Sequence, residues 1–450
     1  MSTLTDMVFK AGIIGCGGAG FPTHVKLAGK AGQLIINGAE CEPMLRTDRY
    51  LMIHHAEDIV RAASEVRKAL GGIPCTIVLK KSYEQEAASL EAAIAAADPE
   101  IRLKKMQSFY PAGDEQVIVA EVTGKVVPPA GIPLDVGCIV DNAATMKCIA
   151  DALDGKPFTH KFLTVSGLVR KPTVMCVPIG TSFADCIAQA GGASEQDTIV
   201  INGGPMMGRR LTAEQAEKAC VTKTTSGILL LPGDGPIAYS EKVSIEHMKN
   251  RARSACIQCS FCTELCPRHL LGHPLEPHKI MRKLGLCMDT EDLLQDPDIQ
   301  RAALCCECGI CEMIACPMGL QPRRVNAMFK RELAKAGIRY PKGTEPEGIS
   351  PEREGRKIPT QRAAQRAGVM DMMNACGTDA LVSYEPKSTE LSLHQGAGAP
   401  SQPIVRSGDR VKCGDLIAVC PEGKLGSNLH AGMDGTVTVG EESIRITEEA

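Results

Sequence analysis

Tryptophan is absent from this 450-residue chain, and Phe, Trp and Tyr together make up only 3% of it. Proteins that hold single-stranded nucleic acid stack bases on aromatic rings, so this composition argues against such a surface. A formal charge of −3 also removes any general electrostatic pull toward nucleic acid. No apolar run approaches the length of a membrane-crossing helix, so no transmembrane segment is expected. The opening MSTLTDMVFKAG lacks the basic-then-apolar pattern of a secretory signal. The expectation is therefore a reducing cytoplasm, with thiols not paired as disulfides. The remainder is globular in character, 44% hydrophobic and 23% charged. It is long enough for three or four domains of roughly 100–150 residues each.

Cysteine, in contrast, is plentiful: there are 21. Eight of them fall in two runs, Cys256-x2-Cys259-x2-Cys262-x3-Cys266-Pro267 and Cys305-x2-Cys308-x2-Cys311-x4-Cys316-Pro317. Three thiolates at this spacing wrap one iron–sulfur cube, while the fourth, held before a proline, reaches the cube of the other run. One [4Fe–4S] cluster is thus expected on Cys256, Cys259, Cys262 and Cys316, and a second on Cys305, Cys308, Cys311 and Cys266. Structural zinc is the weaker reading, because zinc sites bring cysteines as two separated pairs, often with His. The second run departs from the pattern in two ways. An extra residue precedes Cys316, which lengthens that turn, and Cys306 adjoins Cys305 as an alternative ligand, although the x2-x2 spacing favours Cys305. The remaining thirteen cysteines are scattered, and most read as small buried apolar residues.

Along the chain, residues 1–155 alternate strands and helices. Strands are expected at Gln33–Asn37, 75–79 and 101–106, with helices over 53–70 and Glu84–Ala97. Such alternation predicts a layered α/β domain. Residues 156–236 change to a hairpin (162–168 with 174–178), a short helix over 183–190 and a strand at 198–201, which suits a small β-grasp module. The cysteine runs occupy 237–336 around a helical stretch at 275–294. Residues 337–391 are rich in Pro, Gly, Arg and Glu and read as a linker. Residues 392–450 return to short β segments with Gly at the turns, predicting a compact barrel-like domain.

The loop Gly15-Cys16-Gly17-Gly18-Ala19-Gly20-Phe21-Pro22-Thr23 lies between an apolar stretch and a helix expected to begin near Pro22. A loop of this kind brings backbone N–H groups to a phosphate. Lys26, about one turn on, is placed to pair with that phosphate. Asn37-Gly38-Ala39-Glu40-Cys41-Glu42 follows a strand directly, at the sheet edge where open α/β folds bind ligands. Asp141-Asn142-Ala143-Ala144-Thr145 opens a further helix toward the same crevice. A phosphate cradle in a chain with two one-electron centres points to a flavin, which takes a hydride and releases electrons singly. No dinucleotide fingerprint with its acidic residue is present, so FMN is the economical choice.

GGAGFPTHVK, INGAECEP and DNAATM resemble the flavin-binding segments of the FMN- and NADH-binding subunit of respiratory complex I. INGGPMMG (201–208) and the two cysteine runs make the chain similar to the Rnf-complex C-subunit superfamily. The resemblance covers the whole chain. It implies a multidomain α/β protein: a Rossmann-like FMN domain, a β-grasp (SLBB) domain, a ferredoxin-like helical domain with two [4Fe–4S] clusters, and a C-terminal barrel-sandwich hybrid. In the Rnf C subunit the barrel-sandwich piece precedes the flavin domain, whereas here it comes last. That order resembles the PduS-type cobalamin reductases of bacterial microcompartments. Similarity to that family implies NADH as electron donor, and cobalamin or a redox partner protein as acceptor. It further implies a place in a microcompartment, with shell or cobalamin-processing enzymes as partners. Flavin-binding residues implied by the resemblance are Gly15, Gly17, Gly18, Ala19, Gly20, Phe21, Lys26, Asn37, Glu40, Glu42, Asn142 and Thr145, with Glu115 near the nicotinamide pocket. Cys16 reads as a packing residue within that loop. Lys424 lies near a turn, but EGKLGS does not resemble a lipoylation or biotinylation site, so the tail reads as a structural or docking domain.

His54 and His55 lack ligand spacing and read as solvent-facing or capping residues on the helix. His269, His273 and His278 follow the first run, either tuning its cluster by hydrogen bonding or lying on the surface. No side-chain acid, base or nucleophile is required, since the chemistry belongs to the cofactors. Three functions remain open from sequence: an NADH-dependent flavin/iron–sulfur reductase, a non-enzymatic electron conduit, and the C subunit of an Rnf-type electron transport complex.

Overall fold

Strands Gln33–Asn37, Cys75–Lys80, Arg102–Met106 and Cys138–Asn142 form a parallel sheet, in the order 102–106, 75–80, 33–37, 138–142. The computed structural model describes residues 3–18, 20–286 and 290–448. Leu34, Ile35 and Ile36 are fully buried, as a parallel strand covered on both faces requires. Each such side chain contributes on the order of 1.5–3 kcal/mol by leaving water. The chain leaves strand 33–37 on one side and returns through 138–142 on the other. The carboxyl ends of these two neighbours, at Asn37 and Asp141-Asn142, therefore flank the switch point where ligands bind in open sheets.

The helix expected over 53–70 is two helices, Thr47–His54 and Ala56–Ala69, broken at His55. His55 takes φ −129°, ψ 29°, outside the helical region, and its ring faces Asp58 at 3.4 Å. The second helix buries Ile59, Val60, Ala63 and Val66 against the sheet.

The next sheet contains the expected hairpin, His160–Gly167 with Thr173–Pro178, joined to Gly227–Pro232, Thr198–Asn202 and Arg209–Leu211. Residues 337–391 are more than a connector. Ile358–Pro359 pairs with Phe109–Tyr110, Leu381–Ser383 extends the hairpin sheet, and Ser388–Ser392 joins the C-terminal one. Two small sheets, of four and three strands, then pack Leu391, Ile417, Leu429, Val437, Ile444 and Ile446 into a common core.

These units are pinned together. The Lys223 ammonium is 1% exposed and donates to the carbonyls of Gly12 and Asn428, 2.6 Å each. Burial pushes it down to about 7. One side chain of the second sheet's domain thereby holds both the first and the last domain.

Candidate functional site

The glycine loop closes like a small hairpin. Gly15 N–H donates to the Phe21 carbonyl at 2.9 Å, and Ile14 bridges Pro22. Gly18 (φ +111°) faces open space: a Cβ there would meet nothing within 4 Å. Gly17 and Gly18 are exposed, which leaves backbone room for a close-approaching anion. Gly20 (φ +63°) is the opposite case, since a Cβ would lie 2.7 Å from Thr224 and 2.8 Å from Gly396. Its carbonyl accepts from Ala397 N–H at 3.0 Å, so the C-terminal domain braces the loop. Ala19 lies outside the described residues. The helix after Pro22 spans only Thr23–Leu27, too short for a sizeable dipole, so the loop's own N–H groups must do the anion binding.

Behind the loop, Cys16 N–H donates to Thr145 Oγ1 at 3.0 Å. Asn142 caps its helix by accepting from Ala144 N–H and donates to Asp48 Oδ2 at 2.6 Å. Glu40 accepts from Asp48 N–H at 3.0 Å. Burial raises both carboxyls, and the Asp48 charge raises Glu40 further. Asn37 ties Gly113 to Ala39 through both ends of its amide. Lys26 sits between carboxylates, 3.1 Å from Glu115 and 3.4 Å from Asp141, and donates to the Val140 carbonyl at 2.7 Å. Asp141 Oδ2 is buried without a partner. An open glycine cradle beside an unpartnered acceptor fits a ligand carrying both phosphate and hydroxyl groups, as FMN does.

Glu42 serves a different contact. Its carboxylate accepts from Met206 and Met207 N–H at 2.8 and 2.9 Å, fastening the INGGPMMG loop to the flavin domain. Burial pushes it up to about 7. Asp48 and Thr224 belong to no motif, and only the folded chain brings them to this crevice.

The cysteines assemble as two adjoining groups. Burial and then the thiols of Cys316, Cys256 and Cys259 push Cys262 up to about 12. Cys311 is raised by burial and by Cys305, Cys262 and Cys266. Cys266, Cys305, Cys308 and Cys311 are buried and, together with half-buried Cys306, line one hollow, whereas Cys256, Cys259, Cys262 and Cys316 are half-buried. The two runs repeat the same backbone. Gln258 and Glu307 share left-handed φ (53° and 59°), as do Ser260 and Gly309 (59° and 81°). This register pairs Cys256 with Cys305 and sets Cys306 opposite Ile257. The Cys305 sulfur also accepts from Glu307 N–H at 3.3 Å. The additional residue before Cys316 is absorbed in a π-helical turn, Ile310–Ala315, the conformation that accommodates an insertion. Among the described residues, no three His, Cys, Asp or Glu converge as a single ion needs. Cys316 adjoins Cys262, and Cys266 adjoins Cys305, so each group takes its fourth thiol from the other run, the exchange that paired clusters use.

The buried group is gripped by the flavin domain. Tyr110, 1% exposed, donates its hydroxyl to the Cys308 carbonyl at 2.7 Å. Arg268 makes a two-pronged pair with Asp114 at 2.6 and 2.8 Å. Burial alone would raise the Asp114 carboxyl, but Arg268 and the Val117 and Gln116 N–H groups hold it below its usual range. His273 is 2% exposed and bonded to the Val127 carbonyl at 2.8 Å, so it is a core residue and not a surface one. His278 meets Thr263, the residue after Cys262, at 2.7 Å.

Residues 8–151 match the Nuo51 FMN-binding domain, 162–210 the SLBB domain, 255–321 a 4Fe-4S dicluster domain and 378–448 the RnfC barrel sandwich hybrid domain. The chain is 38% identical to cobalamin reductase PduS of Citrobacter freundii, over 99% of this chain and 96% of that protein. It is also 38% identical to cobalamin reductase PduS of Salmonella typhimurium, over 98% and 96%. The C subunit of the Na(+)-translocating ferredoxin:NAD(+) oxidoreductase complex of Acetobacterium woodii is 35% identical over 59% of this chain and 58% of that protein. A flavin domain packed on a two-cluster domain defines an NADH-linked electron-transferring oxidoreductase whose cofactors are FMN and two [4Fe–4S] clusters. With 38% identity along nearly its whole length, the chain belongs to the PduS cobalamin reductase family. Among the described residues no helix is long and apolar enough to cross a membrane.

Proposed function

We propose that the chain oxidises NADH and reduces cobalamin, working inside a bacterial microcompartment alongside cobalamin-processing enzymes. The observation that carries the electron route is the Tyr110–Cys308 contact, which sets the buried cysteine group directly on the flavin domain. FMN, when bound, accepts an electron pair from NADH and releases single electrons, and the clusters carry those singly. Gly15, Gly17, Gly18 and Gly20 admit the flavin's phosphate side to the backbone. Thr145 and Asn142 hold the loop and its floor in place, and Lys26 with Glu115 and Asp141 closes the polar end of the crevice. Cys266, Cys305, Cys308 and Cys311 hold the inner cluster, and Cys256, Cys259, Cys262 and Cys316 the outer one. The repeated backbone twist favours Cys305 over Cys306 as ligand. Cobalamin as acceptor and the microcompartment setting rest on the PduS relatives.

The test is an anaerobic NADH titration of the iron-reconstituted protein with FMN, followed by visible absorbance and then by addition of cob(II)alamin. Flavin bleaching, cluster bleaching and corrinoid reduction in turn are expected. Clusters that bleach with dithionite but not with NADH would replace the reductase by an electron conduit. Bleaching with no corrinoid reduction would leave the donor side standing and remove cobalamin as acceptor.

A further inference from the structure

Behind the glycine loop, and unused by the proposed electron route, lies a cavity of about 200 Å³. Three thiols line it: Cys16 from the loop and Cys148 from helix Ala143–Leu153, with their sulfurs 3.8 Å apart, and Cys176. Lys147, Lys156 and Lys161 also face it, against a single acid, Asp151. Lys147 is paired with Asp151 at 2.6 Å, Lys161 donates to the Cys16 carbonyl at 3.4 Å, and Lys156 is exposed, so the cavity reaches the surface with a cationic wall. The Cys148 thiol, then the Lys161 charge and the Thr145 hydroxyl, draw Cys16 toward the thiolate against the effect of burial. A disulfide requires the sulfurs to close to about 2.05 Å, a small movement for a loop residue facing a helical one.

We propose that Cys16 and Cys148 are a redox-active dithiol, closed to a disulfide by a small acidic disulfide entering the cationic cavity. The Cys16 thiolate attacks R–S–S–R and expels R–S⁻, giving Cys16–S–S–R. The Cys148 thiol then attacks the Cys16 sulfur, and a second R–SH leaves with its proton. Two protein thiols are oxidised as one external disulfide is reduced to two thiols. Cys16 is also the residue whose N–H is fixed on Thr145, between Gly15 and Gly17. Closing the bond pulls the loop toward helix Ala143–Leu153 and loosens its hold on FMN, a consequence that rests on the flavin reading above. The dithiol is thereby a site at which thiol redox state sets flavin occupancy.

The experiment treats anaerobically prepared holoprotein with 3,3′-dithiodipropionate and maps thiols by peptide mass spectrometry, with released FMN read by filtrate fluorescence. The expected result is a Cys16–Cys148 cross-linked peptide two hydrogens lighter than the reduced pair. A Cys148→Ser chain should instead retain the oxidant as a mixed disulfide on Cys16. FMN retention should weaken roughly tenfold, the equivalent of about one hydrogen bond. Labelling of the exposed Cys413 while Cys16 and Cys148 remain thiols would overturn the proposal, as would a cross-link from either to Cys176. A cross-link that forms with FMN retention unchanged would overturn the coupling to flavin alone. Untreated protein that binds no FMN would instead count against the flavin reading, while the cross-link still decides the dithiol.

Discussion

The two cysteine groups share a sequence pattern and a backbone, yet their surroundings are opposite. The inner group is buried and held by Tyr110, by the Asp114–Arg268 pair and by Met206 against Gly309. Around the outer group, Ile257 is 62% exposed, Phe261 49% and Met318 37%. Arg251, the polar side chain closest in role to Arg268, merely donates to the Met318 carbonyl at the surface. Ligand spacing thus sets what each group can bind, and in the proposed route the neighbouring domain sets where electrons enter and leave. The inner group adjoins the flavin domain, and the outer one presents apolar side chains to solvent, where an acceptor can approach.

The most damaging change to this arrangement is loss of a cluster ligand. Cys308→Ser and Cys259→Ser should each abolish turnover from NADH to acceptor and remove about half the iron, by metal analysis and EPR. Their difference sharpens the comparison: Cys308→Ser should lower the melting temperature more than Cys259→Ser, because the group it empties is buried against the flavin domain. Next in size is Arg268→Ala, which strands Asp114 as a buried charge and should cost roughly 3–5 kcal/mol in denaturant unfolding. Arg251→Ala at the exposed group should stay within about 0.5 kcal/mol. Tyr110→Phe removes one buried hydrogen bond and should cost about 1 kcal/mol. It should also shift the inner cluster's potential in redox titration while leaving the outer one alone.

The smallest effect is that of acid. Burial lowers His273 from 6.5 to about 4. A histidine kept neutral in the fold contributes stability that is fully present above 6.5 and lost as pH falls toward 4. Amide exchange around residues 267–273 should therefore rise over that window before it rises around 256–262. Equal rates in both regions would show that the inner side is no more acid-sensitive than the outer.

What could be read from the sequence was local. The cysteine spacing pointed to both cluster groups, and alternating apolar segments placed strand Gln33–Asn37 and helix Glu84–Ala97 where they stand. The extra residue before Cys316 was visible, and the π-helical turn is its physical outcome. Contacts between distant segments were not visible. Glu42 lies in a motif suggestive of flavin, yet its carboxylate fastens Met206 and Met207, a pairing that no spacing encodes. Asp114 and Arg268 meet across domains in the same way. Residues 337–391 carry few apolar side chains because their strands are short and lie mostly at sheet edges, where pairing needs backbone more than burial.

The brace between Ala397 and Gly20 has a consequence for how the protein is made. Residues 14–22 leave the ribosome well before Ala397, whose N–H caps their loop. A nascent chain can build the parallel sheet early, since its strands all lie within the first third of the sequence. It cannot complete the cradle until the last domain has emerged and docked. Cofactor loading is thereby tied to synthesis of the domain that carries Ala397, so a chain halted before it holds a finished scaffold with an unbraced loop.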